Sequence, residues 1–177
     1  MTLTTPTRRH VLTSGAAAGL AAFGSARPGH AETRPENGFA YEVQRSDAEW
    51  RAMLSPEEYE ILRLGGTEPR LSSPLVEETR SGAYHCRGCD LTVYESRWKT
   101  QLDVGWVFFQ HSCPDAVLTG IDEPDPAEAN EMGNLPDAKI SVHCRRCASH
   151  LGHILIVRVD LLHCINGTSL KFVQNGA

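Results

Sequence analysis

Cys86/Cys89 and Cys144/Cys147 form two Cys-x-x-Cys pairs, and a fifth of the six cysteines, Cys164, follows closely behind His150-Leu151-Gly152-His153. Four thiolates in two such pairs can close a tetrahedron around one zinc ion, which makes them a candidate structural metal site. Two disulfides, two redox-active dithiols or iron–sulfur ligation would draw on the same residues. Neither pair lies at the start of a convincing helix after a strand, as a thioredoxin-like motif would. Cys164 is a different case. It is a thiol near two histidines, with His163 beside it, and imidazoles can stabilise a thiolate and then donate protons. A lone cysteine on an apolar strand is otherwise a buried, inert residue. Asn166, two residues on, shares the face of Cys164 if the run is a strand.

The elements that must position these residues are legible in the flanking sequence. Ser46-Asp47-Ala48-Glu49 has the form of a capping box and opens a short helix through Trp50 and Met53. Ser55-Pro56-Glu57-Glu58 is a second start signal, with proline at the first helical position and acids at the positive end of the macrodipole. Tyr59, Ile61, Leu62 and Leu64 supply its apolar side, and Gly65-Gly66 ends it. After Pro69 the texture changes to short β-like runs broken by turns. Ala83-Tyr84-His85 leads into the first cysteine pair, Leu91 to Tyr94 leads out, and Lys139 to His143 alternates into the second pair. Val104 to Phe109, Leu161-Leu162 and Ser169 to Val173 complete the strand-like runs, while Gly120 to Pro136 is rich in proline and acids and reads as an exposed loop. The expectation is a mainly β domain with a small helical N-terminal lobe.

The first 31 residues read as an address rather than as part of that domain. Arg8-Arg9 precedes a mildly apolar run from Val11 to Phe23, and a small-residue exit follows at Gly29-His30-Ala31. Those parts make residues 1–31 a twin-arginine export signal, with periplasmic delivery, and 32–45 a linker to a domain over 46–177. An uncleaved amphipathic leader is the competing account. The apolar run is too short to span a bilayer comfortably. Removal of the leader with its three arginines takes the net charge from −5 to −8. That charge disfavours nucleic acid and anionic membranes as partners. A twin-arginine route also suits the cysteines, because the pathway carries folded proteins and lets four thiolates take up metal before meeting an oxidising compartment.

From Ser55 to Val173 the chain resembles the B-type methionine-R-sulfoxide reductases. The residues that carry the resemblance are Leu54-Ser55-Pro56-Glu57-Glu58-Tyr59, Gly66-Thr67-Glu68, Gly82 to Cys89, Gly105-Trp106, Val142 to Cys147, His150-Leu151-Gly152-His153, and Cys164 to Phe172, in that order. The resemblance implies a pair of antiparallel sheets with the four-cysteine zinc site away from the chemistry. It implies Cys164 as the nucleophile on the sulfoxide sulfur, with His150 and His153 orienting or protonating the oxygen. Asn166 would help fix that geometry, and Trp106 would pack on the substrate methyl and select the R epimer; a core aromatic is the plainer role for Trp106. Oxidised methionine in proteins is the implied substrate, and a thioredoxin-like thiol would reduce the resulting sulfenic acid. A monomer is expected.

The departures from the family cluster at the site. Leu162 stands where the family has arginine, and Val107-Phe108-Phe109 replace Pro-Ser-Phe. The carboxylate that usually follows the histidine motif is missing, and Asp160 is a candidate substitute from another direction. Cys113 is the only spare thiol: it either resolves the sulfenic acid by folding back or stays idle while an external reductant acts. The competing function is a non-catalytic, zinc-stabilised binding module, similar to the thalidomide-binding part of cereblon. Such a module needs an aromatic cage and no nucleophile, whereas this chain keeps Cys164 and both histidines.

Overall fold

The computed structural model describes residues 39–122 and 139–176. The expected export signal, the first part of the expected linker and most of the acidic loop lie outside these residues. Helix α1 (Asp47–Met53) and helix α2 (Pro56–Leu64) each begin with a reciprocal capping box, Ser46 with Glu49 and Ser55 with Glu58. Such boxes satisfy the orphan amides that would otherwise destabilise helices this short. Trp50 from α1 and Tyr59, Ile61 and Leu62 from α2 are buried, and Gly65 ends α2 in the left-handed conformation at φ 77°. The late part of the expected linker is not free. Val43 donates its N–H to Arg146 carbonyl at 2.9 Å, and its side chain packs against the core.

The strands are β1 (Gly82–Cys86), β2 (Thr92–Glu95), β3 (Lys99–Thr100), β4 (Val107–Phe109), β5 (Val117–Asp122), β6 (Lys139–Cys144), β7 (His150–Val157), β8 (Asp160–Ile165) and β9 (Leu170–Gln174). They form two sheets of order β2-β1-β9 and β3-β4-β8-β7-β6-β5, with every pairing antiparallel. The mainly β expectation therefore holds, as do the two sheets and the helical start. One boundary differs: Gly120 to Asp122, read as loop, extend β5 along β6. Ladder pairing with Ser141, Ile140 and Lys139 holds them there in spite of their polar sequence context.

Register decides which side chains reach the core. Cross-strand partners share a face, and neighbours along a strand alternate. Val107, Phe109 and Ile165 point inward, where Phe109 stacks on Tyr94 at 4.2 Å and meets Tyr84 edge-on at 5.0 Å. The other face of the larger sheet carries one transverse row, Phe108–Cys164–His153–Ser141, each residue paired with the next across the ladder. A one-residue slip of β8 would send Cys164 into the core and bring His163 out.

Candidate active site

Cys164 lies in β8 with His153 directly opposite it in β7 and Phe108 opposite it in β4. The glycine of His150-Leu151-Gly152-His153 permits this approach: a β-carbon at Gly152 would run into the carbonyl oxygen of Cys164. Burial pushes the Cys164 thiol up to about 11, and the Glu68 charge adds to the effect. The histidines beside it do not depress it as their proximity in sequence suggests: among the described residues no cation acts on the thiol, and Leu162, two residues before it, is a buried apolar neighbour.

His153 donates from Nε2 to Asp122 Oδ2 at 2.9 Å. Burial acts most strongly and raises the Asp122 carboxyl, but its polar neighbours His153, Ser141 and His150 together outweigh it and hold the group below its ordinary value. The carboxylate of the site thus comes from the end of β5. Asp160 does not supply it. Asp160 pairs with Val157 at the far end of the β7–β8 hairpin, four ladder positions from the His153–Cys164 pair, or about 13 Å along the strand.

His150 stacks edge-on against His153 at 5.1 Å and against His143 at 5.3 Å. It is 3% exposed, and its Nε2 has no hydrogen-bond partner among the described residues. Burial, with the neighbouring His143 and His153, brings its pKa down to about 4. His150 is therefore a neutral ring at ordinary pH, with a buried polar nitrogen left for a ligand to engage.

The loop after α2 closes the site from the other side. Glu68 is buried, and its carboxylate accepts the Gly167 N–H, the Thr168 N–H and the Thr168 hydroxyl, each at 2.8 Å. Its carbonyl accepts the Trp106 indole N–H at 3.2 Å, and its own N–H donates to Asn166 Oδ1 at 3.0 Å. Asn166 further donates from Nδ2 to Leu151 carbonyl at 3.3 Å. The Asn166 amide is committed to the scaffold, so it braces the site from behind.

Away from this face, the four paired cysteines converge. Cys86 ends β1 in the smaller sheet and Cys144 ends β6 in the larger, so the cluster pins the two sheets together. Their sulfur atoms lie within 4.8 Å of one another, with Cys86–Cys147 at 3.7 Å and Cys89–Cys144 at 3.5 Å. Four thiolates around a tetrahedral zinc stand about 3.8 Å apart, so the cluster has the dimensions of such a site and not those of two disulfides. The two turns are alike: Asp90 N–H returns to Cys86 carbonyl at 2.8 Å and Ala148 N–H to Cys144 carbonyl at 2.9 Å. Gly88 lets the first turn pack on the second, since a β-carbon there would stand 2.6 Å from Ser149 Oγ and 3.3 Å from Cys147 Sγ.

The SelR domain model matches residues 54–174, a span that includes the cysteine cluster and the Cys164 face. The chain belongs to the SelR family. This SelR chain is 36% identical over 135 residues to peptide methionine sulfoxide reductase B3 of Arabidopsis thaliana, covering 73% of this chain and 70% of that protein. It is 33% identical over 136 residues to peptide methionine sulfoxide reductase MsrB of Leifsonia xyli subsp. xyli, covering 75% and 91%. The MsrB of Pseudomonas putida is 33% identical over 133 residues, covering 73% and 93%.

Two residues singled out in the sequence do not join the SelR site. His163 points to the inner face of the sheet, where its Nδ1 lies 3.0 Å from the Tyr94 hydroxyl. Cys113 belongs to that inner side as well: its N–H donates to Val93 carbonyl at 2.9 Å and its side chain packs on the core. Two residues that sequence reasoning passed over do join it. Glu68 stood in the Gly66-Thr67-Glu68 step with no role attached, and Asp122 was hidden in an acidic stretch. Only the ladder register singles Asp122 out.

Proposed function

We propose that this chain reduces methionine-R-sulfoxide to methionine, with Cys164 as the nucleophile. The observation that carries this is the direct pairing of Cys164 with His153, backed by Asp122, inside a SelR domain. Cys164 is a neutral thiol at rest, so its proton must leave as sulfur attacks sulfur. The sulfoxide oxygen must gain a proton as its bond to the substrate sulfur breaks. His153 can move that proton, because its imidazole stands opposite Cys164 and is held in orientation by Asp122. The unpartnered Nε2 of neutral His150 orients the oxygen as a hydrogen-bond donor. In net terms the oxygen passes to Cys164, giving a sulfenic acid and methionine. Two further thiols then return Cys164 to its resting form, releasing water and a disulfide.

Trp106, held by the Glu68 carbonyl, forms the wall against which the substrate methyl packs and by which the R epimer is selected. Asn166 braces the turn behind the nucleophile. Cys86, Cys89, Cys144 and Cys147 would hold a zinc ion, which would clamp the two sheets together away from the Cys164 face. The substrate is oxidised methionine in proteins. A thioredoxin-like reductant attacks the sulfenic acid directly; the packing of the Cys113 side chain on the core supports this. Residues 1–31 act as a twin-arginine signal and the domain works in the periplasm as a monomer; the arginine pair and the apolar run behind it support this. No helix among the described residues is long and apolar enough to cross a membrane.

The test is diastereomer-resolved reduction of N-capped methionine sulfoxide with dithiothreitol, beside Cys164→Ser. R-selective loss of substrate that vanishes in the variant is the expected result. Absence of turnover by folded, zinc-loaded protein would overturn the assignment in favour of a binding module.

A further inference from the structure

Among the described residues Glu68 is the only buried carboxylate, at 2% exposure. A carboxylate withdrawn from water is tolerated where donors fill its oxygens, and here three do. An apolar residue would fill the same space but leave the Gly167 and Thr168 amides unpaired. What distinguishes Glu68 is the set of elements it joins. Its side chain holds the turn that follows β8, beginning three residues after Cys164. Its main chain holds Asn166 and the Trp106 indole, which immediately precedes β4. The loop after α2 pairs with neither strand in a ladder, so side-chain and single main-chain bonds register it to the site. Five are made by Glu68. Beside them stand Asn166 Nδ2 to the Gly66 carbonyl at 3.5 Å, Leu71 N–H to the Gly105 carbonyl at 2.9 Å and Arg70 Nε to the Val104 carbonyl at 3.0 Å.

We infer that Glu68 is the positioning residue of the reductase site, its carboxylate fixing the turn behind Cys164 while its main chain fixes the Asn166 amide and the Trp106 indole. This rests on the reductase function proposed above. The anion has a second consequence, since together with burial it keeps the resting sulfur protonated. A protonated thiol is the form that resists adventitious oxidation.

The experiment uses the full, zinc-loaded chain with Cys113→Ser throughout, so that Cys164 is the one thiol outside the metal cluster. Alkylation of Cys164 by iodoacetamide against pH, and turnover of N-capped methionine-R-sulfoxide with dithiothreitol, are measured for Glu68→Gln, Glu68→Asp and Thr168→Val. Glu68→Gln removes the charge, the smaller of the two causes that raise the thiol, so its alkylation profile should move toward acid by less than about one pH unit. Its kcat/KM should fall about tenfold or more, as expected when reacting groups lose their mutual alignment. Glu68→Asp keeps the charge and should restore the alkylation profile and part of the turnover. Thr168→Val deletes one donor and leaves the anion, so it should keep the profile and lose part of the turnover. An unmoved profile in Glu68→Gln, or kcat/KM equal to wild type, overturns the inference. If Glu68→Gln does not fold, Thr168→Val decides: unchanged kcat/KM and epimer selectivity overturn the inference, and a loss with an intact alkylation profile sustains it. A wild type without turnover would sink the reductase function, while the alkylation profile would still report on Glu68.

Discussion

Asp122 and His153 are joined by a 2.9 Å hydrogen bond although 31 residues separate them in the chain. His153 is in turn the cross-strand partner of Cys164, so one imidazole in β7 links the last residue of β5 to the proposed nucleophile. A carboxylate that orients an imidazole is worth about 10-fold to 100-fold where it has been removed elsewhere. Asp122→Asn should therefore lower kcat by about that factor with little change in KM, in steady-state assays with saturating dithiothreitol. A KM effect alone would place Asp122 in substrate binding instead.

Cys164 should be slow to react at neutral pH. With its thiol pushed up to about 11, alkylation should climb about tenfold per pH unit and reach no plateau below pH 10. Leu162 precedes Cys164 by two residues and shares its face. Leu162→Arg adds a cation there and should bring the plateau down by about one pH unit. Iodoacetamide kinetics followed by mass spectrometry read this directly; a plateau near pH 8 in the unmodified chain contradicts it.

His150 should make the fold acid-sensitive. Its folded-state pKa of about 4 lies below the ordinary imidazole value of 6.5, so the unfolded chain binds the proton first as pH falls. The stability it contributes is present above pH 6.5 and is lost between 6.5 and 4, at about 2 kcal/mol from pH 7 to pH 5. Urea denaturation of wild type and His150→Gln at both pH values isolates this share from any metal loss common to both. Equal acid losses in the two proteins would refute it.

Metal removal should unfold the domain. A four-thiolate zinc site contributes on the order of 10 kcal/mol of apparent folding free energy, and this cluster joins β1 of one sheet to β6 of the other. A strong chelator, or Cys86→Ser, should abolish the cooperative thermal transition. A chelated protein that melts like the untreated one would mean that the cluster is not a metal site.

Cys113→Ser should leave turnover with dithiothreitol within about twofold of wild type and the melting temperature within a few degrees, as for a half-buried substitution outside the site. Turnover with thioredoxin should persist too, because the Cys113 side chain packs on the core side of the sheet. Loss of the thioredoxin-dependent rate alone would show that Cys113 reaches the nucleophile after all.

The sequence carried what local chemistry specifies. Ser46 and Ser55 with their glutamates announce two helices, because a capping box is a short-range pattern. The paired cysteines announce a four-thiolate site through their spacing, and Cys164 with His150 and His153 announces a thiol served by imidazoles. What adjacency in sequence could not convey was the face on which each group lies. His163 touches Cys164 in the chain and points away from it, since neighbours on a strand alternate. Asp122 and Glu68 are distant in sequence yet act at the site, one through ladder register and one through a loop laid across the turn after β8. Local pattern determined the candidate reacting groups and the four clustered cysteines; only the tertiary pairing of β4, β5, β7 and β8, with the loop laid across the turn, decided which carboxylates lie near the thiol's face and that the Cys113 side chain packs on the core, because side-chain direction in a sheet is fixed by register and not by sequence distance.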